Sequence, residues 1–394
     1  MPSWRCCRLT EELSQPLFVN LGCRTNAAEV DELAERLGEA RNVVVVNSCT
    51  VTLAADRDTR KAVHRARREN PDSAVVLMGC YVDAHPGRDL GADLVVPNAW
   101  KAAPLQPDMV LDPPGARRSR FLLKVQDGCD NRCTFCIVWQ TRGRSLSRAL
   151  AYLEARARAA VAAGFKEIVL TGIDLGSYRG GLAPLVERLL AVTAPARLRL
   201  SSIDPSQVDQ ALCRLLEHPC LCPHLHLPLQ SGSDTVLARM RRRYDTAHFE
   251  RVVAMAKDVR PDLALTGDFM VGFPGETEAD FERTLRVTER SGFMGLHVFR
   301  FSARPRTAAA RYNDQVEVMA AQDRSRRLIE LGHGLRADYE RTFEGRRLQV
   351  VWDRVIGDQI RGVSENYLQP TAPAKGRRAG QLEEVVWRTA SSVA

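Results

Sequence analysis

Cys129, Cys133 and Cys136 stand in "DGCDNRCTFC" at the spacing C-x3-C-x2-C. Thiolates so placed suit a soft metal, but zinc and each iron of a cluster normally take four ligands, so the set is one short. Either a distant residue completes a zinc site, or the set holds a 4Fe-4S cluster with one iron open to a chelating small molecule. Zinc loops usually pair their ligands in two separated groups, and no such partner pair follows, which favours the cluster. Cys23, Cys49 and Cys80 form a second set, each ending an apolar run: "LFVNLGC", "VVVVNSC" and "AVVLMGC". Buried core cysteines are common, but three at equivalent strand ends point to a shared site.

The elements that must position these thiols repeat a strand-helix rhythm. Over residues 17–98 the three runs and "DLVVPN" alternate with helical patterns such as "AAEVDELAERLGEA" and "DTRKAVHRARREN", which predicts a small parallel α/β unit. The carboxyl ends of its strands share one edge, where ligands bind in open parallel sheets. A Pro/Gly/Arg-rich stretch, "LDPPGARRSR" at 111–120, reads as a linker. Beyond it "FLLKVQ", "EIVLTG", "RLRLSSI", "HLHLPLQ", "LTGDFMVG" and "LHVFRFS" alternate with helical stretches, among them "SLSRALAYLEARARAAVAAG". Six such repeats predict a partial βα barrel with its functional groups at the carboxyl ends of the strands, directly where "DGCDNRCTFC" begins. After a charged helix, the last fifty or so residues alternate short apolar runs with Gly and Pro turns and read as a small β module near the lower size limit for independent folding. The fold class is therefore α/β, with domains at 17–112, 118–338 and 342–394.

The chain of 394 residues carries 56 Lys and Arg against 48 Asp and Glu, a net charge of +8 that suits a polyanionic partner. No secretory apolar segment or membrane-length stretch is visible, so a cytoplasmic protein without a membrane is expected. In that reducing compartment eleven cysteines point to metal ligation or catalysis rather than disulfides. Cys220, Cys222, His224 and His226 alternate along "CLCPHLHL"; side chains in a row are poorly placed to close around one zinc, and lining the barrel interior is the better expectation. The arginine runs "RMRRR", "ARRE" and "TRGRSLSR" suit solvated faces or phosphate contacts.

The C-x3-C-x2-C set after the first strand of a six-strand barrel resembles the radical S-adenosylmethionine superfamily. With "LGCRTN", "NSCTVT", "GCY" and the trailing β module, in which "SENYLQ" with Tyr367 matches the RNA-binding TRAM module, the chain is similar from residue 17 onward to the methylthiotransferases. That resemblance implies two 4Fe-4S clusters, one on Cys129, Cys133 and Cys136 and an auxiliary one on Cys23, Cys49 and Cys80. It implies that S-adenosylmethionine, chelated at the first cluster, is cleaved to a 5′-deoxyadenosyl radical, while the auxiliary site delivers a methylated sulfur. Cosubstrate contacts are expected in the stretches from Thr171 to Asp174, Ser201 to Asp204, Gln230 to Gly232 and Asp268 to Gly272, and specifically at Gly172, Asp174, Ser202, Gln230 and Asp268. Arg142 and Arg144 are implied to lie near the active site.

"LGCRTNAAE", "VQDGC", "RGRSLSR", "LTGIDLGSY" and "LCPHLHLPLQSG" look most like the class that converts N6-threonylcarbamoyladenosine at tRNA position 37 to its 2-methylthio derivative. The implied partners are the tRNA anticodon stem-loop, a sulfur donor and an electron donor such as flavodoxin or ferredoxin. The sequence departs from the family pattern at "CIVWQTRG", around Trp139 and Gln140, and at "SARPRTAA". Alternatives are the same chemistry on isopentenyladenosine tRNA, a ribosomal protein or a small molecule, and a non-enzymatic iron–sulfur or zinc RNA-binding protein.

Overall fold

β-branched runs near the amino terminus form four parallel strands, β1 (Leu17–Asn20), β2 (Val43–Ser48), β3 (Ala74–Gly79) and β4 (Leu94–Val96), in the spatial order β1-β2-β3-β4. The computed structural model describes residues 13, 15–101 and 118–389, so most of the expected linker, the end of the first expected domain (102–112), the last five residues of the third, Cys6 and Cys7 lie outside the described residues. Helices Arg24–Leu37 and Leu53–Glu69 supply the crossovers that parallel pairing needs. Thr52 caps the second, its hydroxyl accepting from the Ala55 N–H at 3.1 Å. Val44, Val46, Val63, Val75 and Leu77 close the core of this first unit. Residues 140–142, the end of a short helix Val138–Arg142, group with it and not with their sequence neighbours.

Among the described residues, the second unit spans 118–139 and 143–389. Its strand β5 (Phe121–Lys124) continues into β6 (Gln126–Asp127), which pairs antiparallel with β7 (Leu146–Ser147). That pairing holds 146–147 extended, so the helix expected from Ser145 starts at Leu150. Then follow β8 (Glu167–Thr171), β9 (Arg197–Leu200), β10 (His224–His226), β11 (Ala264–Val271) and β12 (Gly295–Arg300). β5-β8-β9 and β10-β11-β12 are parallel sheets, and parallel bridges Leu198–Leu221 and Ser202–His226 join them. The six strands are the expected partial barrel, with Leu170, Leu198, Leu225, Leu265 and Phe269 turned outward into one core with the surrounding helices.

Strands β13 (Arg347–Ile356), β14 (Gln359–Ser364), β15 (Thr371–Pro373) and β16 (Leu382–Val386) make an antiparallel sheet in the order β15-β14-β13-β16. Its core, centred on Trp352, Val350, Ile360 and Leu368, also takes in Ala264 and Met294 at the start of β11 and just before β12, which is why sheet and barrel form one unit.

A buried charge cluster secures that junction. Arg197 Nη2 and Arg199 Nε reach the Glu167 carboxylate at 2.5 and 2.6 Å, and Arg199 Nη2 also donates to the Ser364 carbonyl at 2.8 Å. Burial alone would raise the Glu167 carboxyl; Arg199 and Arg197 outweigh it and hold the group well below its ordinary 4.5. Glu167→Ala leaves the buried Arg199 guanidinium without a carboxylate and Arg197 with Glu365 alone, at 3.7 Å, and is expected to cost about 3–5 kcal/mol, measured as a fall in the denaturant midpoint. Because the folded-state pKa is depressed, the contribution is present in full above pH 4.5 and is lost as pH falls below it. A midpoint unchanged at pH 7 would refute this role.

Candidate functional site

In the first unit, Cys23 follows β1 as the residue before helix Arg24–Leu37, Cys49 directly follows β2, and Cys80 directly follows β3. The registers Asn20–Asn47 and Ser48–Gly79 place these strand ends side by side. The three thiols are close enough to interact: burial pushes the Cys49 thiol up to about 11, and charge on Cys80 or Cys23 would push it further the same way. Asn26 braces the edge, donating to the Ser48 carbonyl at 2.9 Å, while its side-chain oxygen lies 3.6 Å from Cys23 Sγ. Arg142 enters the same edge, with Nε 3.3 Å from Cys80 Sγ and Nη1 2.6 Å from Glu29 Oε1.

In the second unit, the loop after β6 carries Cys129, half-buried, Cys133, buried, and Cys136, half-buried. Gly128, at φ +71°, makes the turn into it. A Cβ there would stand 1.9 Å from the Arg144 carbonyl oxygen, so only glycine fits. Thr134 fastens the loop, its N–H donating to the Met240 carbonyl at 3.1 Å and its hydroxyl to the Arg239 carbonyl at 2.9 Å. Phe135 packs among Met270, Phe273, Phe301 and Tyr312. Backbone N–H groups of Asn131 and Val138 donate to the sulfurs of Cys129 and Cys136, each at 3.4 Å. Arg242 donates to Cys133 Sγ at 3.4 Å and is itself held by Asp204 at 2.7 Å and the Tyr244 hydroxyl at 3.1 Å. Burial raises the Cys129 thiol to about 12 and Cys136 to about 11, so a bound metal would have to displace protons at neutral pH.

The five residues expected around the cosubstrate are placed differently. Asp174 lies beside the loop, its carboxylate 3.7 Å from Cys129 Sγ and accepting from Asn131 Nδ2 at 3.2 Å, and burial raises its pKa. Gly172 makes room for Gln126, whose Oε1 would lie 3.0 Å from a Cβ there. Gln126 accepts from the N–H groups of Ile173 and Asp174 at 3.0 and 2.9 Å and donates to the Gly128 carbonyl at 2.7 Å, so it ties the cysteine loop to the turn after β8. Ser202 bridges to His226, and Gln230, at φ +65°, bridges to β11. Asp268 sits between His226 Nε2 at 3.2 Å and His297 Nδ1 at 3.1 Å. Among the described residues, Asp174 is the one of these five with a side chain within reach of a cysteine in the loop.

Cys222, His224 and His226 are buried in the barrel, where His224 and His226 share Thr266 Oγ1 at 2.9 Å each and His224 stacks on Tyr367 at 4.2 Å. Cys220 packs against the outer core, so the four do not converge on one ion. The arginine runs divide by burial: Arg144 is exposed, as a phosphate contact requires, while Arg142 is buried and the Arg242 side chain is 8% exposed, each beside a sulfur. A charged run hides such members, because pattern alone does not say which arginine turns inward. Trp139 carries the Arg132 guanidinium 5.8 Å above its ring.

Which metal group the cysteines fit follows from their spacing. Among the described residues, only His226, Asp268 and His297 bring three ligand atoms within 4.8 Å of one another. Three sulfurs on one tetrahedral zinc, at Zn–S of about 2.3 Å, would stand about 3.8 Å apart. Neither cysteine set brings its three sulfurs within 4.8 Å of one another, a spacing that suits a multi-iron cluster better than one zinc ion.

Residues 123–288 match the radical SAM superfamily, and residues 16–96 match the uncharacterized protein family UPF0004. The fold is similar to that of the radical S-adenosylmethionine methyltransferase TsrM from Kitasatospora setae, with a TM-score of 0.56 at 15% identity over 72% of each chain. A parallel partial barrel with three cysteines in the loop after its first strand thus defines a radical S-adenosylmethionine enzyme. The threonylcarbamoyladenosine tRNA methylthiotransferases MtaB of Thermotoga maritima and Bacillus subtilis are 33% and 34% identical over 92% and 93% of this chain and 92% of each relative. The tRNA-2-methylthio-N(6)-dimethylallyladenosine synthase of Jannaschia sp. is 33% identical over 96% of this chain and 92% of its own. The chain belongs to the radical S-adenosylmethionine methylthiotransferase family. It is a transferase whose cofactors are 4Fe-4S clusters and S-adenosylmethionine. Among the described residues, no helix is long and apolar enough to cross a membrane.

Proposed function

We propose that this enzyme methylthiolates N6-threonylcarbamoyladenosine at position 37 of tRNA, with its clusters on Cys129, Cys133 and Cys136 and on Cys23, Cys49 and Cys80. The observation that carries the substrate is the end-to-end similarity to relatives named for that reaction. Bound at these two sets, the clusters would supply the electron that cleaves S-adenosylmethionine and the sulfur to be inserted, which two-electron chemistry at an unactivated C–H bond cannot achieve.

The chain's own residues bind and orient. Arg242, fixed by Asp204 and Tyr244, directs an N–H at the Cys133 sulfur and keeps positive charge beside the first set. Gln126 locks the loop to the turn carrying Asp174, whose carboxylate lies 3.7 Å from Cys129 Sγ and which is our candidate for holding the cosubstrate. Gly172, Ser202, Gln230 and Asp268 complete the proposed lining on the carboxyl side of the barrel strands. The exposed Arg144 suits a phosphate contact of the anticodon stem-loop. The reaction runs in the cytoplasm with an electron donor such as flavodoxin or ferredoxin and a separate sulfur donor.

The Jannaschia relative favours one second reading, dimethylallyladenosine as acceptor. Mass spectrometry of tRNA nucleosides from a strain lacking the gene separates the two. Loss of 2-methylthio-N6-threonylcarbamoyladenosine, restored by the gene in trans, is the expected result. Loss of the 2-methylthio dimethylallyl nucleoside instead would move the assignment to the second acceptor.

A further inference from the structure

The edge of the first unit holds a charged pair that ligation of a cluster by three cysteines does not require. The side chains of Arg142 and Glu29 are 0% and 3% exposed. Arg142 divides its fork among a carboxylate, a sulfur and an amide oxygen. Nη1 and Nη2 take the Glu29 carboxylate oxygens at 2.6 and 3.3 Å, and Nε turns to Cys80 Sγ at 3.3 Å. Nη2 also donates to Asn26 Oδ1, the atom that Cys23 Sγ meets at 3.6 Å. One guanidinium therefore reaches two of the three cysteines, Cys80 directly and Cys23 through Asn26.

We propose that Arg142 is a positioning residue that, with Glu29, sets the reduction potential of the cluster on Cys23, Cys49 and Cys80; this rests on the ligand assignment proposed above. Hydrogen bonds to the sulfurs and nearby charge are the levers by which a protein tunes such a cluster. Arginine is charged at every working pH. Its N–H on the sulfur and its positive charge both favour the form carrying one extra electron. Glu29 touches the guanidinium from the other side and offsets part of that charge. The two residues must therefore act with opposite signs, whereas a pair serving only to hold the fold would shift the potential in one direction or leave it unchanged.

The test uses the full chain with Cys129, Cys133 and Cys136 replaced by alanine, loaded with iron and sulfide and titrated with a reductant while the reduced cluster is followed by electron paramagnetic resonance. Arg142→Gln is expected to change the reduced-to-oxidised ratio at a fixed potential about tenfold toward oxidised, a midpoint shift of about 59 mV downward for a one-electron couple. Glu29→Gln, which keeps the arginine, is expected to shift it upward. Arg142→Lys keeps the charge without the fork and falls between Arg142→Gln and the parent. If Arg142→Gln fails to load, the opposed shifts of Glu29→Gln and Arg142→Lys decide the matter. Fully loaded variants with unchanged midpoints, or shifts of one sign, overturn the proposal alone. Failure of the Arg142-containing parent to load any cluster overturns the ligand assignment, and the proposal with it.

Discussion

Cys133→Ala is expected to abolish formation of 5′-deoxyadenosine from S-adenosylmethionine by the reduced, loaded enzyme, and to lower its iron content by about half, since one of two equal clusters is lost. Cys133 is the most enclosed of its set, 7% exposed, and its sulfur is the one that Arg242 addresses. With it gone, two thiolates would remain where the proposed assignment calls for three. The loop itself should survive, because Thr134 and Phe135 hold it through Met240, Arg239 and the Phe273 cluster without using the Cys133 sulfur. Removal of a thiol that size leaves a cavity whose cost, about 1–2 kcal/mol, is too small to unfold a domain of this extent. An unchanged circular dichroism spectrum with no 5′-deoxyadenosine is therefore the expected pair of results. Persistent 5′-deoxyadenosine would refute the assignment of cosubstrate cleavage to this set.

What the sequence could and could not disclose divides along a physical line. Strand-ending cysteines were legible because β-branched runs such as "VVVVNS" have no other stable use, and parallel pairing then forces their ends onto one edge. The six-strand barrel was legible for the same reason, each run being apolar, short and bounded by a turn. The side chains behind the sulfurs were not. Arg142 and Arg242 lie within runs whose members Arg144, Arg241 and Arg243 are exposed, and nothing local distinguishes an inward arginine from its neighbours. Gln126 was equally hidden: its amide accepts from two backbone N–H groups across the barrel rim, a contact between positions 47 and 48 residues apart in the chain. Gly172 shows the converse, a glycine expected beside a ligand whose missing side chain gives space to Gln126. Periodicity reports which face of an element is apolar, while these contacts depend on tertiary partners.

Cys49→Ala should separate the two halves of the reaction. Cleavage of S-adenosylmethionine is expected to stay within about threefold of the parent, as for a substitution at an independent site, while the methylthio product disappears. The sheet order makes Cys49 the middle member of its set, directly after β2, which lies between β1 and β3. Its thiol, raised to about 11 chiefly by burial and further by the other two cysteines, is protonated in the metal-free protein, so loading must release a proton there. Removing that proposed ligand would leave Cys23 and Cys80 on either side of it along the edge, with Asn26 and Arg142 still in place but only two thiolates of the set. The fold has no need of the sulfur, since Val44 and Val46 of β2 anchor the strand in the core and Thr59 donates to the Cys49 backbone carbonyl at 3.1 Å, not to its side chain. The measurement is a single reaction with substrate tRNA in which 5′-deoxyadenosine and the methylthio nucleoside are quantified together. Uncoupled cleavage identifies the first-unit set as the source of the sulfur. Retained methylthio product would remove Cys49 from the chemistry, and loss of both products would mean that the two sets do not act independently.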